Sequence, residues 1–235
     1  VVLGTETLNV VLSDGTSRPA ILLGPDSPFT DIAVLQIGPL AGVTPVPVGE
    51  SKDLRPGDPV IAIGNPLDQF DGSVTTGVVS GVNRARVFDE VRQDDLIQTD
   101  AALNNGNSGG ALLNLKGEFI GMPTAVLRES PGAEPVEGVG FAIPSDRVMA
   151  IANGIIAAGG AYPRPDLGIE DVDLAPGITV RACRLSVDAG ALVTAVTPGG
   201  PGATAGLQIC DVITKIGTDA VDADNPLPRC AVRSR

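Results

Sequence analysis

Val60-Ile61-Ala62-Ile63-Gly64, Gly77-Val78-Val79-Ser80-Gly81-Val82, Leu96-Ile97-Gln98-Thr99, Gly110-Ala111-Leu112-Leu113-Asn114 and Glu118-Phe119-Ile120-Gly121-Met122 follow one another through the middle of the chain, with Gly, Pro and Asp between them. Short apolar, β-branched runs at close spacing, with no helical periodicity between them, predict a sandwich or barrel of antiparallel strands. The same texture extends toward the N-terminus. Leu8-Asn9-Val10-Val11-Leu12 and Ala20-Ile21-Leu22-Leu23 flank the turn Ser13-Asp14-Gly15-Thr16 and read as a hairpin. Asp31-Ile32-Ala33-Val34-Leu35-Gln36-Ile37 is a further strand after a loop holding Pro25 and Pro28. One helix stands out. Past Pro144, where Ser145 or Asp146 can cap the first turn, Val148, Ile151, Ala152 and Ile155 recur at i, i+3, i+4 and i+7 before Gly159-Gly160. Ala161-Tyr162-Pro163-Arg164-Pro165 then has the proline density of a stiff connector. Beyond it lie strands at 191–196 and 212–216, separated by Pro198, Gly199, Gly200 and Pro201, and an aperiodic end at 225–235.

The 235 residues suit one or two domains, and 43% hydrophobic with 19% charged residues is a globular composition. Thirty Gly and 20 Pro favour many turns and short strands over long helices. Sixteen Lys and Arg against 28 Asp and Glu leave a charge of −12, and the aromatic content is 3% with no Trp. Without a basic stripe or stacking platform, nucleic acid is excluded as a partner. His is absent altogether. No histidine metal site and no complete Ser-His-Asp triad can therefore be assembled within the chain. Cys183, Cys210 and Cys230 form no C-x-x-C pair, which argues against a zinc ribbon or thioredoxin-type centre. They read either as free thiols or as one disulfide with a leftover. No apolar stretch reaches 18 residues, and the chain opens at Val1 without a basic and apolar leader; an upstream segment could supply an export signal or anchor.

Gly106-Asn107-Ser108-Gly109-Gly110 is the sharpest local signal. Glycines beside a serine permit a tight turn that exposes Oγ, and successive N–H groups can face one concavity where an oxyanion would sit. By itself such a string is commonly only a Ser/Gly loop. Here it is fed by Gln98-Thr99-Asp100-Ala101-Ala102-Leu103-Asn104 and left by the strand at Gly110-Ala111-Leu112-Leu113. Asp31-Ile32-Ala33-Val34-Leu35, Ala62-Ile63-Gly64-Asn65-Pro66, Gly72-Ser73-Val74-Thr75-Thr76-Gly77-Val78-Val79-Ser80, Gln98-Thr99-Asp100-Ala101-Ala102, the Ser108 string and Gly140-Phe141-Ala142-Ile143-Pro144-Ser145 occur in order. Together they resemble the HtrA/Deg family of trypsin-like serine proteases over nearly the whole of 1–160.

The resemblance implies that Ser108 is the nucleophile, that Asp31 orients the base, and that the N–H groups of Gly106 and Ser108 form the oxyanion hole. It likens Val139, Gly140, Phe141 and Ala142 to the strand lining the primary specificity pocket; their apolar character suits cleavage after small or medium apolar residues. In that family the base is a histidine in an Asn-His-Val-Val segment. Val1-Val2 look like those two valines, so the base is expected just before residue 1, and the chain alone is expected to be nearly inert. Lys116, beside Gly117 in an expected hairpin turn, is expected to be solvated and is rejected as a substitute base. Asn107 stands where digestive relatives carry an aspartate, so activation by a freed N-terminus is not implied. Asn105 departs from a frequent proline. Gating loops are expected around 84–95, with Arg84, Arg86, Asp89, Glu90, Arg92, Asp94 and Asp95, and around 123–137.

The C-terminal piece resembles a PDZ domain: Leu167-Gly168-Ile169 matches its carboxylate-receiving loop, and Gly190-Ala191-Leu192-Val193-Thr194-Ala195-Val196, Pro201-Gly202-Ala203-Thr204-Ala205-Gly206-Leu207 and Asp211-Val212-Ile213-Thr214-Lys215-Ile216 also fit. Ile209-Cys210 replaces a common Pro-Gly, and no helix is evident after about residue 225 for the second wall of the groove. The expected architecture is all-β: a remnant of a first β-barrel at 1–45, a second barrel at 46–144, helix and linker at 145–163, and a partial PDZ domain at 164–235. No cofactor or metal is implied. Expected partners are unfolded polypeptides, and peptide C-termini if the PDZ domain is complete in the parent; a homotrimer of the full-length protein in the cell envelope, periplasmic, secreted or membrane-anchored, is implied by resemblance. The rival reading is a catalytically inactive peptide-binding or chaperone module.

Overall fold

The computed structural model describes residues 7–26, 29–65, 72–88, 91–104, 106–126, 138–164, 166–174, 183, 185–222 and 227. The chain divides into two compact units, Val1–Pro163 and Arg164–Arg235. In the first, strands β1 (Leu8–Val11), β2 (Ser17–Pro25) and β3 (Ala33–Ile37) form a three-stranded antiparallel sheet. Six more strands close a barrel: β4 (Pro59–Gly64), β5 (Ser73–Phe88), β6 (Val91–Thr99), β7 (Ala111–Leu113), β8 (Phe119–Val126) and β9 (Gly140–Pro144), in the order β4-β5-β6-β9-β8-β7. The expected β architecture thus holds for this unit, with one helix beside it.

Alternation along these strands sends Val60, Ala62, Val79, Ile97, Leu112, Ile120 and Ala142 into the barrel interior. A second cluster joins Ile32, Leu96, Phe141 and Ile143 to Ile151 and Ile155 of helix α1 (Ser145–Ala158). Each of the larger side chains, the Val, Leu, Ile and Phe, stabilises the fold by roughly 1.5–3 kcal/mol on burial. The consequence for the site is direct: Ile32 anchors the start of β3 to the barrel and helix. The helix has the predicted buried face, but neither expected residue caps it. Pro144 is the N-cap, and Ser145 Oγ donates instead to the Gly49 carbonyl at 2.8 Å. The Asp146 carboxylate accepts from Ser51 Oγ at 2.7 Å and Lys52 N–H at 3.1 Å, so these side chains tie the helix start to 49–52 rather than to its own turn. At the other end Gly159 adopts φ 64°, and its N–H reaches the carbonyls of Ile155 and Ile156.

The expected gating loop at 84–95 is mostly strand. β5 runs to Phe88 and β6 starts at Val91, with register shifts along the hairpin. Charged residues obscure the pairing in sequence, and they are not all solvated: Arg84 is exposed and its Nε donates to Gln98 Oε1 at 3.0 Å, whereas Asp94 is buried and the Arg86 guanidinium lies 5.7 Å from the Phe141 ring centre. Asp89 and Glu90 lie outside the described residues, as do 127–137 of the other expected loop, whose 123–126 belong to β8.

The second unit holds a sheet of β10 (Ile169–Leu174), β11 (Gly190–Val196) and β12 (Val212–Ile213), a short pair β13 (Lys215–Ile216) and β14 (Asp219–Ala220), and helix α2 (Pro201–Ala205). Its core is small, centred on Ala191, Val221 and Leu227. Cys183 and Cys210 form a disulfide across 27 residues, while Cys230 lies outside the described residues. Cys210 has φ 75°, the left-handed conformation that explains a glycine preference at this turn. Reducing this disulfide is expected to destabilise the unit by about 3 kcal/mol through the freed loop entropy of the unfolded chain. Thermal unfolding with and without reductant measures it; an unchanged transition would show that the bond does not support the unit.

Candidate active site

Three segments meet at the site. Ser108 lies in the turn between β6 and β7, which is held from both sides: Gly109 N–H donates to Pro123 O at 2.8 Å, Gly110 N–H to Asn107 O at 3.0 Å, and Asn65 N–H to Gly106 O at 3.3 Å. Asp31 precedes β3 and is exposed between buried Thr30 and buried Ile32. The third segment is β8, where Pro123 faces Ala142 of β9 and Ala125 faces Phe141, leaving Thr124 as an extra residue in a bulge. A bulge turns one residue out of the ladder. Thr124 uses both its groups accordingly: its carbonyl accepts from Ser108 Oγ at 3.1 Å, and its Oγ1 donates to Asp31 Oδ2 at 2.8 Å.

Around the serine, Gly106 has φ 97°, a conformation that side-chain-bearing residues avoid. Among the described residues neither the Gly106 nor the Ser108 N–H has an acceptor, although the intervening Asn107 N–H donates to Asn104 O at 3.0 Å. Asn107 itself is buried against Gly64, and its Oδ1 receives no hydrogen bond. Lys116 is exposed in the turn where Gly117 N–H returns to Asn114 O.

The four expected pocket residues are not equivalent. Val139 is half-buried, whereas Phe141 and Ala142 point into the two different core clusters, and β9 is paired on both edges by β6 and β8. Gly140 is buried against Leu103, whose Cδ1 would lie 2.6 Å from a Cβ placed on that glycine. Leu103, at 7% exposure, is therefore a neighbour of β9 that sequence reading passed over.

Residues 1–122 match the family described as a trypsin-like peptidase domain. The serine protease Do-like HtrA of Lactococcus lactis subsp. cremoris is 40% identical over 237 residues, taking in 97% of this chain and 58% of the relative. The periplasmic pH-dependent serine endoprotease DegQ of Escherichia coli is 40% identical over 211 residues, 90% of this chain and 45% of the relative. A solved structure described as the HtrA-type protease AlgW with decapeptide superimposes with a TM-score of 0.81 at 37% identity, covering 99% of this chain and 69% of that one. The chain belongs to the HtrA-type trypsin-like serine proteases. It spans about half the length of the two relatives named.

In this HtrA-type chain the missed residue at the centre of the site is Thr124. Its only sequence signal was position, and a bulge between strands leaves no periodic trace. The second unit carries the other expected site. Leu167 and Ile169 are half-buried, and Gly168 has φ 64°. The Gly168 N–H, one of the donors expected to face a peptide carboxylate, donates to Asp166 Oδ1 at 2.7 Å, while its carbonyl accepts from Thr197 N–H at 2.8 Å. On β10, burial and then the nearby Asp173 push the Asp171 carboxyl above the usual carboxylate range.

Proposed function

We propose that the protein hydrolyses peptide bonds through an acyl-enzyme on Ser108, with a histidine base supplied from outside residues 1–235. Asp31 orients that base and stabilises its charged form. Ser108 Oγ attacks the scissile carbonyl carbon as its proton passes to the imidazole, and the resulting oxyanion is held by the N–H groups of Gly106 and Ser108. Collapse expels the amine, which takes the proton; water then cleaves the ester by the same route. The observation that carries this reading is the convergence of the Ser108 hydroxyl and the Asp31 carboxylate on the single residue Thr124. The two N–H groups without acceptors are further support, since donors aimed at developing charge give the largest electrostatic contribution to acyl transfer. Val139, Gly140 and Leu103 favour a small or medium apolar side chain before the cut bond; Phe141 and Ala142 shape that wall through their backbone. Substrates are partly unfolded polypeptides in the cell envelope, the full-length protein acts as a homotrimer, and the second unit is a PDZ domain that receives peptide C-termini when complete.

A fluorophosphonate probe tests the reaction. In a polypeptide extended upstream of Val1 along its own reading frame, it is expected to label Ser108, identified by peptide mapping; residues 1–235 alone should label only at background. Absence of labelling in the extended polypeptide would favour the second reading, a catalytically inactive peptide-binding module. In that reading Ser108 and its loop remain as scaffold, and the residue encoded immediately before Val1 separates the two: a histidine there supports hydrolysis, another residue the inactive module.

A further inference from the structure

Asp31 has φ 55°, a left-handed conformation that costs a non-glycine residue about 1 kcal/mol or more and persists only where the surroundings impose it. The imposing group is Asp26. Its N–H donates to Ile32 O at 2.8 Å, its carbonyl accepts from Thr30 N–H at 3.0 Å, and its carboxylate Oδ2 accepts from Thr30 Oγ1. Asp26 is 3% exposed and Thr30 2%, so this is a buried carboxylate whose hydroxyl partner is also out of water. Acids are seldom buried to this extent without such partners, because an unpaired one would be strongly penalised. Ile32, on the far side of Asp31, is fixed in the core beside Ile151 and Ile155. Asp26 thus ties Thr30 and Ile32, the two neighbours of Asp31, to itself, leaving Asp31 as the exposed residue between two buried ones, with its carboxylate on Thr124 Oγ1.

We infer that Asp26 and Thr30 are positioning residues for the proposed reaction, holding Asp31 where its carboxylate can orient the base. The inference rests on the reading of Asp31 given above. Neither residue is assigned contact with substrate; both act through Asp31. A displacement of about 1 Å in a catalytic group costs on the order of 10²-fold in rate.

The test is fluorophosphonate labelling of Ser108 in the upstream-extended polypeptide, comparing the rate at saturating probe with the half-saturating concentration. Thr30→Val keeps the volume and removes the hydroxyl. It is expected to slow the saturating rate by about 10²-fold with the half-saturating concentration within about twofold, and Thr30→Ser is expected to restore the rate. Thr30→Ala, which lacks the hydroxyl without adding a methyl in its place, serves if Thr30→Val does not fold. Full-rate labelling by a folded Thr30→Val or Thr30→Ala, beside a slow Asp31→Asn, overturns the inference and leaves the protease reading intact. Failure of Thr30→Ser to restore the rate, or unfolding of both hydroxyl-free variants, makes the bond between Asp26 and Thr30 a support of the fold alone and also overturns it. If the unsubstituted extended polypeptide does not label, the protease reading itself fails and the inference falls with it.

Discussion

Replacing Asp31 by Asn is expected to slow acylation of Ser108 by about 10⁴-fold in the upstream-extended polypeptide. The substitution is nearly isosteric. Thr124 Oγ1 can still donate to the amide oxygen, so the 2.8 Å contact survives and the segment keeps its shape. What changes is the other side of the side chain. A carboxylate accepts the imidazole N–H that faces it and favours the imidazolium formed as Ser108 loses its proton; an amide presents an NH₂ there, selects the wrong tautomer and supplies no charge. Ten-thousandfold corresponds to about 5.4 kcal/mol of barrier, several times the roughly 1 kcal/mol of one neutral hydrogen bond, so loss of contact alone cannot imitate it. Residues acting as one unit are not additive, and Asp31→Asn added to Ser108→Ala should therefore lower residual turnover no further. The measurement is the second-order labelling constant of the single variant and peptide turnover by the double. A reduction below tenfold in the single variant would remove Asp31 from the reaction.

How far the residues announced this arrangement differs from one to the next. The hairpin around Asp14-Gly15 and the strands of the barrel were legible because alternation against a single core leaves a period of two, and the face of helix α1 because Ile151 and Ile155 recur at its own period. Ser108 was legible because a serine between glycines is a local pattern. Asp31 was not, taken alone: an Asp before a strand is ordinary turn chemistry, and only the ordered company of the other motifs singled it out. Thr124, Asp26 and Leu103 went unread for one reason. Each acts through a partner removed in sequence, Thr124 through a register shift, Asp26 through its bonds to Thr30 and Ile32, and Leu103 by lying under Gly140 of β9. The same holds for the disulfide, since spacing left open whether any cysteines pair. The helix start was misassigned because Ser145 and Asp146 look like caps locally but bond to residues near 50, far away in sequence.

Gly77→Ala is expected to destabilise the first unit by about 3 kcal/mol or more, lowering its unfolding temperature by roughly 10 °C. A Cβ at this position would lie 2.4 Å from the Ala101 nitrogen, 2.5 Å from Asp100 Oδ1 and 2.6 Å from the Ala101 Cα. Two of these are backbone atoms, and neither side can retreat cheaply. Gly77 is paired with Val60 in the barrel, while the opposing segment is stitched to β5 by Val78 N–H to Asp100 Oδ1 at 2.7 Å, Thr99 Oγ1 to Val78 O at 2.8 Å and Thr75 Oγ1 to Ala102 O at 3.1 Å. Gly160→Ala is the internal control, because nothing lies within 4 Å of its would-be Cβ and its conformation suits any residue; it should stay within about 0.5 kcal/mol of the parent. Calorimetry of both variants decides. The segment that Gly77 lets approach leads on in sequence to Ser108, so the close contact that makes this glycine costly to replace also bears on how the Ser108 turn is seated against the barrel. A Gly77→Ala protein as stable as its parent would mean that this seat is loose, and that the Ser108 turn is held by its own backbone bonds, among them those of Asn65, Asn107, Gly109 and Gly110, without it.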